Sequence, residues 1–224
     1  MSETRPTVFI VDDDAAVRQS LALLIRSMGM PVETFESAQV FLGACDPERP
    51  GCLVLDIRMP GISGLELQEE LQRRGVTLPI IFITGHGDIP MSVRAMKAGA
   101  VDFLPKPVDG GQLLAAIAQA LAGDEAARRR RAVEADRRRR FDQLTTRERE
   151  VMRGVLRGAL NKQIAHDLGI AEPTVKIHRG RVMEKLGVTS VADLVRLAQQ
   201  AGLSATGEGE GGTDAPARPA PPGV

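Results

Sequence analysis

The chain has 224 residues, and its 29 basic and 29 acidic side chains give a formal net charge of zero. It has no Trp or Tyr and six Phe residues, so it offers few aromatic rings for stacking single-stranded nucleic acid. No apolar run approaches the roughly 18 residues that a membrane span needs, and acids directly after the first apolar run argue against a secretory signal. Cys45 and Cys52 stand without a histidine cluster, which indicates neither a zinc site nor a disulfide framework. We therefore expect a cytoplasmic protein of one large or two ordinary domains that does not bind a membrane.

Charge is distributed unevenly along the chain. The net charge is −5 over residues 1–123, +7 over residues 124–203 and −2 over residues 204–224. An acidic part followed by a basic part predicts two domains with different tasks, the second of which involves a polyanion. Residues 204–224 are rich in Gly, Pro and Ala, and a segment with so few large apolar side chains is predicted to be disordered.

Short apolar runs alternate with helical patterns in residues 1–123. The runs are Val8–Val11, Pro31–Phe35, Cys52–Leu55, Pro79–Ile83 and Val101–Leu104. Apolar residues at helical spacing follow each run. Five strands that alternate with five helices predict an α/β fold, a doubly wound parallel sheet with helices on both faces. The ligand site of such a sheet lies beyond the carboxyl ends of its strands.

Acidic, hydroxyl and ammonium side chains follow four of the predicted strands: Asp12, Asp13 and Asp14, then Asp56, Thr84 and Lys106. Carboxylates that meet at one edge repel each other unless a cation lies among them, and a site with few oxygen ligands suits Mg²⁺. Thr84 and Lys106 would complete a phosphoryl-binding pocket, and a carboxylate nucleophile in it would form an aspartyl phosphate. Taken singly, Asp14 is better explained as a helix N-cap, and Lys106 also fits a solvated turn residue. Their combination on four separate strand ends favours the phosphoryl site.

The motifs IVDDD, LDIRMPGISGLEL, FITGHGD and KAGAVDFLPKP contain these residues. Over about residues 5–123 they resemble the receiver domains of bacterial two-component response regulators. The resemblance implies a flavodoxin/CheY-like receiver domain in which Asp56 is the phosphoacceptor and a sensor histidine kinase is the phosphodonor. It also implies that Asp12, Asp13 and Asp56 hold Mg²⁺ together with the backbone carbonyl of Arg58.

The same resemblance assigns roles around the phosphoacceptor. Thr84 would hydrogen-bond the phosphoryl group, Lys106 would pair with it, and Phe103 would swing inward as Thr84 moves. The Lys106–Pro107 bond corresponds to a cis peptide bond, which X-Pro bonds tolerate.

Two further consequences follow from the resemblance. Arg58 and His86 should line the approach of water to the phosphoryl group, although His86 also fits a plain surface loop. Phosphorylation should promote a homodimer through the fourth and fifth helices, roughly Met91–Ala98 and Gln112–Ala122.

Residues 124–140 connect the two parts of the chain. Their sequence, DEAARRRRAVEADRRRR, has no Pro and predicts a basic helical linker. Val133 is its one apolar residue larger than Ala, so a long coiled coil is not expected. The eight arginines fit a solvated helix, contacts with phosphates, or docking against the acidic first domain, and the sequence leaves these open.

A small all-α domain of four helices is predicted at residues 141–203. Thr145 or Thr146 caps the first helix. The other three are Asn161–Leu168, Glu172–Leu186 and Ser190–Ala201. A turn that contains Gly169 joins the second helix to the third, which makes them a helix-turn-helix.

The third helix has two different sides. At 100° per residue its core side consists of Val175, Val182 and Leu186. On the other side or its flanks, Lys176 and Arg181 can donate to guanine acceptors and Ile177 can contact a thymine methyl group. Three further residues are placed for phosphate contacts: Thr174, His178 and Lys185. A basic helix face is often merely solvated, but an exposed Ile177 inside a helix-turn-helix favours DNA.

The motifs LTTREREV, NKQIAHDLGI and TVKIHRGRVMEKLGV occupy this second domain. They resemble the LuxR-type DNA-binding domain, and the order of the two domains is similar to the FixJ branch of the NarL/FixJ regulators. Two positions depart from the expected pattern: Ala171 stands where a Ser or Thr usually caps the recognition helix, and Gly180 presents no side chain to the groove. The resemblance implies a phosphorylation-dependent transcriptional regulator, not an enzyme, that binds double-stranded DNA and has RNA polymerase as a further partner.

Two other functions fit parts of the sequence. A sigma factor has similar C-terminal helices, but it needs a second promoter-binding region where residues 1–123 predict a sheet. A phosphatase or dehalogenase also uses an Asp nucleophile, but it needs a second acid two residues later, where this chain has Arg58. For the regulator itself, the opposite charges of the two halves leave open whether phosphorylation acts by unmasking the DNA-binding domain or by dimerisation.

Overall fold

The computed structural model describes residues 5–85 and 89–202. The chain divides into two compact units, Met1–Arg131 and Ala132–Val224. His86 and the predicted tail at residues 204–224 lie outside the described residues. No helix in the described part of the chain is long and apolar enough to cross a membrane.

A five-stranded parallel sheet forms the centre of the first unit. Its strands are β1 (Thr7–Val11), β2 (Val32–Phe35), β3 (Gly51–Asp56), β4 (Ile80–Thr84) and β5 (Asp102–Pro105), in the order β2-β1-β3-β4-β5. Every neighbouring pair is parallel. The predicted doubly wound α/β fold is therefore confirmed, and each strand begins and ends within one or two residues of its predicted bounds.

Five helices cover the two faces of this sheet: α1 (Ala15–Ser27), α2 (Ala38–Ala44), α3 (Gly64–Arg73), α4 (Ile89–Lys97) and α5 (Gly110–Asp142). Successive strand residues point to opposite faces, so β1 contributes to two separate cores. Phe9 and Val11 pack with buried residues of α2, α3 and α4. Val8 and Ile10 pack with buried residues of α1 and α5.

The second unit contains the end of α5 and four further helices: α6 (Thr146–Leu156), α7 (Asn161–Leu168), α8 (Glu172–Leu186) and α9 (Val191–Gln200). Val175, Val182 and Leu186 of α8 are buried in its core, as the helical phase predicts. Gly169 ends α7 in the left-handed conformation, with φ of 63°, which glycine adopts without a steric penalty. The predicted all-α domain with a helix-turn-helix is therefore observed.

Glu148 joins two helices of this unit. Thr145 caps α6 in a capping box with Glu148, whose carboxylate accepts the Thr145 N–H at 2.8 Å. The same carboxylate accepts Lys185 Nζ at 2.6 Å, and Lys185 also donates to the carbonyl of Gln143 at 3.1 Å. Burial acts to raise the pKa of Glu148, but the hydrogen bonds from Lys185 and Thr145 outweigh it and hold this pKa below its ordinary value. Glu148 is thus a buried, paired carboxylate.

Lys185, which was predicted to contact phosphate, has two partners within this unit. Its ammonium group lies between the buried carboxylate of Glu148 and a backbone carbonyl. Helical phase alone located Lys185 on the flank of α8, but it could not show the acceptors that approach from α6. The structure therefore gives Lys185 a role in holding α6 and α8 together.

The first unit extends past the predicted boundary at residue 123. Asp124 is buried, and its carboxylate accepts the Gly51 N–H at 3.0 Å and Arg128 Nε at 2.8 Å. Arg128 also donates to the carbonyl oxygens of Glu48 and Arg49, at 2.9 and 2.6 Å. These contacts fix the first turns of the connector on the receiver side, so the unit ends at Arg131.

We predict that Glu148→Ala destabilises the second unit by on the order of 2 kcal/mol, because it removes a buried charged acceptor and leaves Lys185 without its carboxylate partner. Glu150→Ala is the matched control, since Glu150 pairs with Arg147 on the exposed side of the same helix and such pairs contribute less than about 1 kcal/mol. Hydrogen exchange of the α6 amides in the full chain measures the difference. Equal loss of protection in the two variants would contradict the role of Glu148.

Candidate functional site

The candidate site lies where the order of the sheet reverses. From β1 the chain passes to β2 on one side and then returns to β3 on the other, which opens a crevice beyond the carboxyl ends of these strands. Asp12 directly follows β1, and Asp56 is the last residue of β3. Val11 pairs with Leu55 in the parallel register, so the two acids emerge at the same level.

Three carboxylates converge in this crevice. Asp12, Asp13 and Asp56 each offer an oxygen atom, and these atoms all lie within 4.8 Å of one another. Asp12 and Asp56 are buried, whereas Asp13 is exposed. A cluster of hard oxygen donors, open to solvent on one side, is the donor set that Mg²⁺ prefers, since Mg²⁺ keeps several of its waters. The residues present therefore fit a divalent cation.

Lys106 brings a positive charge into the cluster. Its Nζ donates to Asp12 Oδ2 at 2.7 Å and to Asp56 Oδ2 at 2.9 Å. Burial acts to lower the pKa of Lys106, but the two carboxylates outweigh it and raise this pKa above its ordinary value. For Asp12, by contrast, burial raises the pKa, and the hydrogen bonds from Lys106 and the Asp14 N–H oppose this rise only in part. A carboxylate in such a position favours any further cation at the site.

The ends of β4 and β5 place the remaining side chains of the site. Thr84 is buried at the end of β4, and its carbonyl accepts the Lys106 N–H at 2.6 Å. Phe103 of β5 is partly buried against the core that contains residues of α2, α3 and α4. The Lys106–Pro107 bond is cis, as the resemblance implied. The structure thus brings Asp12, Asp13, Asp56, Thr84 and Lys106 to one edge of the sheet.

Asp14 and Arg58 lie at the same edge, but their side chains do not join the cluster. Asp14 is the N-cap of α1, because its carboxylate accepts the N–H groups of Ala16 and Val17. Arg58 has an exposed side chain, and its N–H lies 3.4 Å from Asp56 Oδ1.

Two residues near the site were not predicted. Arg18 Nη1 donates to the carbonyl oxygen of Asp12 at 2.6 Å, which fixes the backbone after β1. Gly64 starts α3 so close to β3 that a Cβ atom there would overlap the carbonyl oxygen of Asp56. Gly64 stands inside the motif LDIRMPGISGLEL, but the close approach depends on how α3 packs and not on any local pattern.

The exposed side of α8 carries the predicted base-reading residues. Lys176 and Arg181 are exposed, and Ile177 is 57% exposed. Neither Lys176 nor Arg181 makes a hydrogen bond or ion pair within residues 5–85 and 89–202. Ala171 precedes α8 without a side-chain cap, and Pro173 lies in its first turn. α8 therefore begins without the Ser or Thr cap that the resemblance leads us to expect.

The predicted phosphate-contacting residues of α8 are less exposed. Thr174 and His178 are partly buried, and His178 Nδ1 is a buried atom without a hydrogen-bond partner in the described residues. Arg179, which was not singled out from the sequence, donates to Asn161 Oδ1 at 3.1 Å and links α8 to the start of α7. This link orients the two helices of the helix-turn-helix.

Comparisons with known proteins match a part of each unit to a protein family. Residues 8–118 match the family described as the response regulator receiver domain, and residues 142–198 match the bacterial regulatory proteins of the luxR family. Nodulation protein W of Bradyrhizobium diazoefficiens is 49% identical over 204 residues, which are 91% of this chain and 90% of that protein.

Solved structures extend the comparison to the fold. The structure of the response regulator StyR is 54% identical with a TM-score of 0.84, over 88% of this chain and 99% of StyR. Full-length FixJ from B. japonicum is 43% identical with a TM-score of 0.55, over 89% of this chain and 98% of FixJ. The chain belongs to the two-component response regulators of the NarL/FixJ type, which join a receiver domain to a LuxR-type DNA-binding domain.

Proposed function

We propose that this response regulator accepts a phosphoryl group from a sensor histidine kinase on Asp56 and then controls transcription by binding promoter DNA. The observation that supports Asp56 is the position of its carboxylate, which lies beside Asp12, Asp13 and Lys106 in the crevice of the sheet. Both the kinase and the DNA target fit a protein that works in the cytoplasm, and RNA polymerase is the partner through which promoter binding would act.

In the proposed transfer, a carboxylate oxygen of Asp56 forms a bond to phosphorus while the bond from phosphorus to the kinase histidine breaks. Asp12, Asp13, Asp56 and the carbonyl of Arg58 would hold Mg²⁺, which supplies positive charge to the phosphoryl oxygens when it is bound. Lys106 already contacts Asp56 and would transfer its hydrogen bond to a phosphoryl oxygen, and Thr84 would bind another through its hydroxyl group. Water that reaches the same site would later hydrolyse the aspartyl phosphate.

We expect acetyl phosphate with Mg²⁺ to label the chain at Asp56, and Asp56→Asn to abolish the label because an amide is a poor nucleophile. Asp14→Asn is the control, since Asn caps a helix as well as Asp does and the Asp14 carboxylate caps α1 outside the carboxylate cluster. Mass spectrometry of the intact protein measures the label. If Asp56→Asn kept the label, Asp56 would not be the acceptor.

We further propose that phosphorylation produces a dimer through the face formed by α4 and the receiver part of α5. Val93 and Met96 on α4 are 46% and 45% exposed, which leaves an apolar surface on this helix. Thr84 and Phe103 lie on β4 and β5 beside this face. A shift of either side chain on phosphorylation would therefore change the shape of the face.

We predict that beryllofluoride, which mimics the phosphoryl group, makes the chain sediment as a dimer, and that Val93→Asp with Met96→Asp prevents it. The control is Leu23→Asp. Leu23 is 72% exposed on α1, so a charge introduced there should leave the dimer intact. Sedimentation at tens of micromolar measures the result. A wild-type sample that stays monomeric, or equal loss in both variants, would remove this face from the mechanism.

The DNA-binding proposal is supported by the surface of α8. Its exposed residues Lys176, Ile177 and Arg181 stand on a helix whose opposite side is anchored in the core. Lysine and arginine read guanine acceptors in the major groove, and an apolar side chain reads the thymine methyl group. Thr174, His178 and Lys185 remain the proposed phosphate contacts of this helix, and Lys185 also pairs with Glu148.

Lys176→Ala and Arg181→Ala should each lose roughly 1–3 kcal/mol of discrimination at particular base pairs, because a direct base contact disappears. Arg147→Ala is the control, since Arg147 lies on α6 and pairs with Glu150. In vitro selection followed by competition binding measures preference at each position. Unchanged preferences in both α8 variants would exclude α8 as the base-reading helix.

A further inference from the structure

The last turns of α5 are a fixed part of the DNA-binding unit. Phe141 is buried in the core of that unit together with Leu144, which follows the helix. Arg137 donates to the carbonyl oxygen and to Oε1 of Gln200, at 2.9 and 3.2 Å, and Arg140 donates to the carbonyl of Leu186 at 3.4 Å. This end of the connector is therefore anchored by two of its four arginines.

The other two arginines of the same run face solvent. Arg138 is exposed and makes no hydrogen bond or ion pair in the described parts of the chain. The side chain of Arg139 is 73% exposed and pairs with Asp136 one turn earlier. Exposed pairs of this kind contribute little free energy, so an anion with stronger interactions can replace Asp136.

We propose that Arg138 and Arg139 bind phosphates of the DNA backbone, so that the end of the connector extends the DNA-binding surface beyond the helix-turn-helix. This inference rests on the proposed DNA-binding function. A guanidinium group matches the geometry of a phosphate and can bind it with two hydrogen bonds. The contacts of Arg137 and Arg140 hold the helix in place. Little backbone freedom is therefore lost when Arg138 and Arg139 bind phosphates.

The position of this segment also indicates which phosphates it would meet. Arg140 contacts Leu186 at the C-terminal end of α8, whereas Lys176 lies ten residues earlier, about 15 Å along the helix axis. The exposed arginines therefore lie toward the C-terminal end of α8, and Lys176 and Ile177 lie near its other end. The arginines would bind phosphates that flank the base pairs read by α8, and these contacts carry no direct sequence information.

The distribution of charge favours DNA over the acidic receiver as the partner. Residues 124–140 have eight arginines against four acids, so they carry +4 of the net +7 of residues 124–203. In the receiver, acids on the surface already pair with cations of the same unit, including Glu33 with Arg49 and Glu69 with Arg94. To dock there, the connector would have to displace the cation that each of these acids already contacts.

The test compares the salt dependence of DNA binding for the full-length protein and a variant with Arg138→Gln and Arg139→Gln. The probe is a random-sequence duplex, and binding is measured over a range of salt concentrations with and without beryllofluoride. Each lost phosphate contact should reduce the log–log salt slope by about 0.9, so we expect a decrease of about two units in the double variant. The control is Arg196→Gln, since Arg196 lies on α9 and pairs with Asp193, and its slope should match the wild type.

Three other outcomes would overturn the proposal in different ways. An unchanged slope and affinity in the double variant would show that the arginines are only solvated. A higher affinity with an unchanged slope would show that they dock elsewhere on the chain and oppose DNA binding. If the wild-type protein bound no duplex at all, the DNA-binding function itself would fail. Circular dichroism of the double variant checks that both substituted side chains, which are exposed, leave the helices intact.

Discussion

The receiver site depends on one interaction, the pair of hydrogen bonds from the Lys106 ammonium group to Asp12 and Asp56. Two buried carboxylates this close together are unfavourable unless a cation compensates their charge. Lys106 is 94 residues from Asp12 and 50 from Asp56 in the chain. Its position requires that β5 pairs with β4 and β4 with β3, so the site forms only when the sheet is complete. The arrangement of charges around Asp56 is thus coupled to the integrity of the receiver fold.

The sequence was sufficient to predict this site because the constraint that forms it is simple. Strand ends in a parallel sheet meet at one edge, so residues that directly follow apolar runs can be placed there without knowing any side-chain contact. Asp12, Asp56, Thr84 and Lys106 all follow this rule. Arg18 and Gly64 do not, because their roles come from the direction of a long side chain and from the close packing of α3 on β3. Neither the direction of a side chain nor the packing of two elements produces a periodic pattern in the sequence.

The same distinction explains two features that helical phase and composition did not show. Helical phase correctly separates the buried and exposed sides of α8, since burial follows the 3.6-residue period. It could not show that Glu148 approaches Lys185 from 37 residues earlier in the chain. The same limit applies to the predicted boundary at residue 123, past which the first compact unit extends. A change of composition marks the start of the arginine-rich segment, but Asp124 and Arg128 are held by backbone groups more than 70 residues away.

Arginine serves two different purposes along the connector, and the structure separates them. Arg128, Arg137 and Arg140 donate to backbone carbonyl oxygens within their own units, which satisfies acceptors that the ends of loops and helices leave free. Arg138 and Arg139 lie between two such anchors on the same helix, and neighbours in a helix point 100° apart. A run of four arginines therefore cannot turn all its guanidinium groups toward one surface. When two of them hold the helix to its unit, the other two must face solvent, where a polyanion can reach them.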